Sequence, residues 1–246
     1  MLIKSGSTGA HVRSFQHFLS ESGFRAGPAD GVAGPKTVNA IKAFQVRSGL
    51  VDDGMAGHNT LTVARASGWD WGKPTASQVK AANELELPVE VVQTIERVES
   101  GGKASAVRFE PHVFLRKRPK YKGKVPLTLG PAGFSTTARE TDLAAFQHAY
   151  ALDPVAAVES TSWGLYQVLG GHLLAIHGGP EEAVLAFDND PVATSYALLV
   201  RWFKKNPLAL MAAKGKDWWR LAKHYNGPGN VEKYSRLLRD AYKEFT

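Results

Sequence analysis

The chain has 246 residues, 43% of them hydrophobic and 10% aromatic, enough for one large core or two modest ones. It has no cysteine, which excludes disulfides, thiol nucleophiles and thiolate metal sites, and it has no apolar run of about eighteen residues that would cross a bilayer. A formal charge of +7 implies attraction to polyanions such as nucleic acid, anionic lipid or bacterial envelope, without choosing among them.

Taken in chain order, the first organised unit is 1–66, and it repeats itself. Asp30-Gly31-Val32-Ala33-Gly34-Pro35-Lys36-Thr37 returns as Asp53-Gly54-Met55-Ala56-Gly57-His58-Asn59-Thr60. Each copy predicts a turn feeding a helix: Asp-Gly supplies the turn, and helical spacing resumes at the threonine. Phe15-Gln16 and Phe44-Gln45 echo each other on helices predicted over 12–19 and 38–45, so a small three-helix unit is expected. Residues 67–75, with Gly and Pro around Trp69 and Trp71, read as a linker that its tryptophans pin rather than leave flexible. From there 76–246 is mainly helical, with helices predicted over 76–85, 88–100, 140–150, 165–177, 190–206, 208–214, 218–225 and 231–245. Strand-like runs are scarce, the fold class is all-α, and each unit is expected to fold by itself.

Within the second unit Glu99 stands out. Val91, Val92, Ile95 and Val98 recur at helical spacing, and Glu99 shares their face. Pro88 suits the first turn and Gly101-Gly102 a stop, so this carboxylate also lies near the negative end of the helix dipole. Burial and dipole both favour the protonated acid, the form that donates a proton to a poor leaving group such as a glycosidic oxygen. A solvated glutamate in a last helical turn is the alternative.

Residues 5–63 resemble the peptidoglycan-binding domain of cell-wall hydrolases, through Gly9-x-x-Val12, Phe15-Gln16, Asp30-Gly31, Gly34, Thr37, Phe44-Gln45, Gly49-Leu50, Asp53-Gly54, Gly57 and Thr60. That resemblance implies noncatalytic binding of wall polymer near Asp30, Gly31 and Thr37, residues that turn and cap chemistry would also explain. Further on, Glu99-Ser100-Gly101, Ser162-Trp163-Gly164-Leu165-Tyr166-Gln167 and Tyr225-Asn226-Gly227 resemble, in this order, the landmarks of the lysozyme superfamily. With Phe109-Glu110-Pro111-His112-x-Phe114 added, the whole chain is similar to modular phage endolysins that carry a C-terminal N-acetylmuramidase domain. Their usual Arg between the glutamate and the histidine is Pro111 here, so no arginine ion pair is expected from that position.

The resemblance implies an all-α, lysozyme-like catalytic domain that cleaves the β-1,4 bond after N-acetylmuramic acid, with Glu99 as acid and Glu110 as second carboxylate. Asp142, Asp153 and Glu159 remain open for that second role. Ser100, Gln167, Tyr225 and Asn226 are the implied substrate-binding residues, with Gln167 expected in a helix first turn. A lytic transglycosylase, needing Glu99 alone, and a noncatalytic wall-binding or phage structural protein are the rivals. No cofactor or metal is implied, since the eight histidines include no His-Glu-x-x-His. Peptidoglycan is the expected partner of a monomer, with no nucleic acid. Arg116 to Lys124, six cations in nine residues, is either a solvated loop or a contact for lipopolysaccharide. The amphipathic segment 231–245 is expected to pack on the domain, with membrane contact as the alternative. Met1–Ser7 lacks a signal-peptide core, so accumulation in the host cytoplasm and release through a separate membrane pore are expected.

Overall fold

Helical spacing in the first unit produces α1 (Ala10–Glu21), α2 (Pro35–Arg47) and α3 (His58–Ala66). The structure is a computed structural model and describes residues 2–125 and 138–245. Phe15, Leu19, Ile41, Phe44 and Leu61 close a first core, with Phe18 edge-on to Phe44 at 5.6 Å. Trp69, from the predicted linker, belongs to this core. It meets Phe15 edge-on at 5.0 Å, and its indole N–H donates to Ser14 Oγ at 3.2 Å.

The internal repeat has a physical cause: each copy wraps a buried glutamine. Gln16 Nε2 donates to Asp30 Oδ1, the Val32 carbonyl and Thr37 Oγ1, while Gly31 N–H donates to Gln16 Oε1. Gln45 repeats the pattern with Asp53, the Met55 carbonyl, Thr60 and Gly54 N–H. A buried amide must find partners for both its ends, and the Asp-Gly turn supplies them only because Gly31 and Gly54 adopt φ of 77° and 75°.

The second unit is built from α4 (Ala76–Leu85), α5 (Val89–Glu99), α6 (Pro111–Lys117), α7 (Ala138–Leu152), α8 (Pro154–Glu159), α9 (Gly171–His177), α10 (Pro180–Asn189), α11 (Pro191–Lys205), α12 (Pro207–Lys214), α13 (Trp218–Asn226) and α14 (Val231–Tyr242). Threaded among them is a small antiparallel sheet in the order β1 (Val107–Phe109), β2 (Thr161–Trp163), β3 (Val168–Leu169). The all-α, lysozyme-like architecture expected from the sequence is the one the chain adopts. Trp163 anchors the second core, edge-on to Phe146 at 5.3 Å and to Phe187 at 4.9 Å. α14 packs on α5 and α13 through Val231, Leu238 and Ala241, so its apolar stripe is largely consumed inside the domain. Among the described residues no helix is long and apolar enough to cross a membrane.

One predicted helix is corrected in its first half. Of the helix expected over 165–177 only α9 forms, and the residues before it close a β2–β3 hairpin over 161–169, with Trp163 opposite Val168 and Ser162 opposite Leu169. Gly164 forces the turn: its φ is 71°, and a Cβ there would stand 2.0 Å from Ser195 Oγ. Gln167 therefore sits in a hairpin turn, at φ 48°, and not in a helix first turn.

The start of α4 offers a small test of helix capping. Thr75 Oγ1 accepts from Gln78 N–H at 3.2 Å and Gln78 Oε1 accepts from Thr75 N–H at 2.8 Å, a reciprocal cap. Thr75→Ala should lower unfolding free energy by about 1 kcal/mol, read from the denaturant midpoint at unchanged slope.

Candidate active site

α5 delivers Glu99 to the floor of a groove at its own C-terminal end. The residue is partly buried, and burial is the main cause that pushes its carboxyl up to about 7, against opposing pulls from the Asn226 hydrogen bond and the Arg108 charge. At neutral pH a large share of Glu99 therefore carries its proton.

The groove has a volume of about 360 Å³ and brings together Glu99, Glu110, Gln167, Tyr225 and Asn226, with Arg108, His112, Ser162, Asn230 and Tyr234 around them. Asn226 Nδ2 donates to Glu99 Oε1 at 2.9 Å, while no donor among the described residues reaches its buried Oδ1. Gly227, at φ 79°, ends α13 at that point, so the Asn-Gly pair is at once a helix stop and a contact for Glu99. Tyr225 lines the groove with its ring. Its hydroxyl turns inward and donates to the Tyr166 carbonyl at 2.6 Å. Gln167 Nε2 donates to the Gly164 carbonyl at 3.0 Å, which fixes the side chain on the hairpin turn that faces the groove.

Glu110 sits at the start of α6, 15% exposed, between Arg108 Nε at 3.1 Å and His112 Nδ1 at 3.7 Å. Arg108, one strand position before Phe109, thus supplies the arginine pair that Pro111 cannot. Two of the other carboxylates are committed elsewhere. Asp153 caps α8 and pairs with Arg118 at 2.5 Å, and Glu159 pairs with Lys117 at 2.9 Å. Those pairs also take up two cations of the basic run 116–124. Asp142 remains within electrostatic reach of Glu110 and Arg108, and burial raises its pKa.

Ser100, expected at this site, lies outside the groove, and Asp30, Gly31 and Thr37, expected to meet wall polymer, belong to the first unit. Ser100 caps α5, donating to the Glu96 carbonyl at 3.3 Å and accepting from Gly102 N–H at 3.1 Å, and its neighbours include Thr8 and His11. Thr37 is 2% exposed and donates to the Ala26 carbonyl at 3.1 Å. Asp30 and Gly31 form the glutamine-wrapping turn, and Gly31 faces Gly102 of the second unit.

The sequence missed Arg108, Asn230 and Tyr234 as groove residues. For Arg108 a signal existed, namely a cation alternating with a buried Phe109 two residues before the candidate glutamate. Tyr234 carried only the signal of a core helix.

The arrangement can donate a proton from Glu99 to an oxygen bound in the groove, with a second carboxylate, Glu110, lining the same groove to stabilise the developing centre or deprotonate what attacks.

The model of the N-acetylmuramidase family matches residues 88–246, and that of the putative peptidoglycan binding domain matches residues 8–63. The crystal structure of Burkholderia AP3 phage endolysin is similar over 100% of this chain and 99% of its own, at 28% identity and a TM-score of 0.57. Among curated proteins, the chain is 33% identical over 86 residues to N-acetylmuramoyl-L-alanine amidase CwlL of Bacillus licheniformis, covering 34% of this chain and 24% of that protein. It is 36% identical over 84 residues to the spore cortex-lytic enzyme of Bacillus cereus, covering 34% of this chain and 32% of that protein. The chain thus spans between about a quarter and a third of the length of these curated relatives.

Proposed function

Since this chain belongs to the N-acetylmuramidase family, we propose that it is a peptidoglycan hydrolase of endolysin type that cuts the β-1,4 bond between N-acetylmuramic acid and N-acetylglucosamine. The observation that carries this is a carboxyl pushed up to about 7 at the floor of a groove, hydrogen-bonded by Asn226 and sharing that groove with Glu110. In this reading Glu99 protonates the bridging oxygen, and Glu110, paired with Arg108, stabilises the oxocarbenium-like centre or activates water. Asn226 orients Glu99, and its unpartnered Oδ1 accepts a substrate N–H. Gln167 and Tyr225 shape the sugar-binding wall.

Residues 1–66 serve as the wall-binding domain, 67–75 as the linker and 76–246 as the catalytic domain, acting as a monomer on peptidoglycan without cofactor or nucleic acid. The match to a peptidoglycan-binding family over residues 8–63 supports the first assignment. Residues 1–74, which keep Trp69 in their core, should pellet with purified peptidoglycan when fused to a fluorophore; a fusion that stays in the supernatant would remove it. The likeness to a phage endolysin supports accumulation in the host cytoplasm and release through a separate pore, and the run 116–124 is the surface that would meet lipopolysaccharide.

Two of the curated relatives named above are an amidase and a cortex-lytic enzyme, so the bond broken must be identified directly. Digestion of purified sacculi should generate new reducing sugar ends without new amino groups. New amino groups without reducing ends would replace the muramidase assignment with an amidase or peptidase.

A further inference from the structure

One turn of α5 before Glu99, Glu96 is 2% exposed, an interior charge that water does not stabilise. Its counter-ion comes from the other core. Arg13 of α1, itself 3% exposed, donates Nη2 to Glu96 Oε1 at 2.5 Å and Nη1 to Tyr196 Oη at 3.3 Å. Glu96 Oε2 accepts from Gln78 Nε2 at 3.1 Å and from the hydroxyls of Tyr166 and Tyr196 at 3.3 Å each. Neither buried charge has another ion-pair partner among the described residues, so each depends on the other for neutralisation.

The loop after Glu99 is held by the same unit. The Asp30 carbonyl accepts from Ala104 N–H at 3.0 Å. A Cβ on Gly31 would stand 2.3 Å from the Gly102 carbonyl oxygen, and one on Gly102 would stand 2.3 Å from Ala10 Cα. A second route leads to the same carboxyl. Tyr166, which donates to Glu96, accepts the Tyr225 hydroxyl on its own carbonyl at 2.6 Å, and the next residue, Asn226, donates to Glu99. Contacts from the N-terminal unit thus fix the helix just before Glu99 and the loop just after it, and Glu96, which they hold, is linked through Tyr166 and Tyr225 to the segment that carries the hydrogen-bond donor of Glu99.

We infer that Arg13, together with the Asp30–Gly31 turn, positions Glu99, so that the N-terminal unit completes the catalytic site in addition to binding wall polymer. This rests on the assignment of Glu99 as the acid. It also divides labour between the repeats: the first copy docks on the catalytic unit, whereas Asp53 and Met55 of the second are exposed to solvent.

The test uses the full chain and soluble un-cross-linked glycan strands, on which capture by a sacculus plays no part. The variants are Arg13→Met and the double variant Arg13→Met with Glu96→Gln, in which both buried charges are gone, with Glu99→Gln as reference. The double variant should fold and melt within a few degrees of the native protein, because a neutralised pair leaves no unpaired ion. In both variants kcat should fall at least about tenfold with KM changed less than about threefold, the pattern of a displaced catalytic group. The fall of kcat with rising pH should also move to lower pH, as a loosened Glu99 gains water. The groups facing Glu99, namely Arg108 from β1, Glu110 from the start of α6, Tyr225 from α13 and Tyr234 from α14, are untouched by these substitutions. Native kcat with an unmoved pH limb in a folded variant would overturn the inference. So would a double variant that cannot fold, which would leave the contact a structural role only. Native turnover by Glu99→Gln would remove the acid assignment and this inference with it, whereas an inactive Glu99→Gln beside an unaffected Arg13→Met would remove the inference alone.

Discussion

Glu99→Gln is expected to lower turnover of purified sacculi at least about a hundredfold, the low end of what general acid catalysis contributes, with the fold intact. Glutamine keeps the shape and can still accept from Asn226 Nδ2, but it has no proton to give. The pH dependence follows from the carboxyl standing at about 7, above its ordinary value of 4.5. As an acid, Glu99 works while protonated, so the native rate should fall as pH rises through about 7. The same shift has a stability consequence of definite sign. The folded protein holds this proton more tightly than the unfolded chain, so the contribution of Glu99 is fully present below about 4.5 and is lost as pH rises through about 7. Glu99→Gln should therefore come closest to the native melting temperature below about pH 4.5 and exceed it at pH 8. A variant that clears sacculi within a few fold of the native rate would take Glu99 out of the mechanism.

Glu110→Gln is expected to be the second most damaging change. If Glu110 is the carboxylate that stabilises or activates the attacking group, its loss should cost about a hundredfold in kcat with little change in KM. The position is well suited: 15% exposed, in the same groove as Glu99, and held by Arg108 at 3.1 Å. Loss of that one-sided, half-exposed ion pair should by itself change stability little, because Arg108 is 50% exposed and well solvated. Asp142→Asn provides the contrast, since Asp142 lies within electrostatic reach of Glu110. A large loss in Asp142→Asn with Glu110→Gln near native would transfer the second role to Asp142. Near-native rates in both would favour a mechanism that uses Glu99 alone, as in a transglycosylase.

What the sequence revealed of this site depended on how local each signal is. Glu99 was visible because Val91, Val92, Ile95 and Val98 mark a buried helical face and Gly101-Gly102 mark its end, all within one element. The repeat in the first unit was visible because Asp-Gly turn chemistry is local, although its purpose, the wrapping of Gln16 and Gln45, emerges only in three dimensions. The hairpin at Thr161–Leu169 was not visible, because Leu165, Tyr166, Val168 and Leu169 imitate a helical run and Gly164 is forced into its turn by Ser195, far along the chain. α6 and α8, each opened by proline, are too short for helical periodicity to register. The Arg13–Glu96 pair left no trace at all. Its members lie 83 positions apart, and a lone arginine or glutamate on a helix ordinarily points to water.

The account stands most directly on the nature of the cut ends. Mass spectrometry of the native enzyme's sacculus digest should show muropeptides ending in reducing N-acetylmuramic acid, the product of water adding to the sugar centre after Glu99 protonates the bridging oxygen. Digests dominated by 1,6-anhydro-muramic ends, lighter by one water, or by glycan strands left uncut, would contradict it.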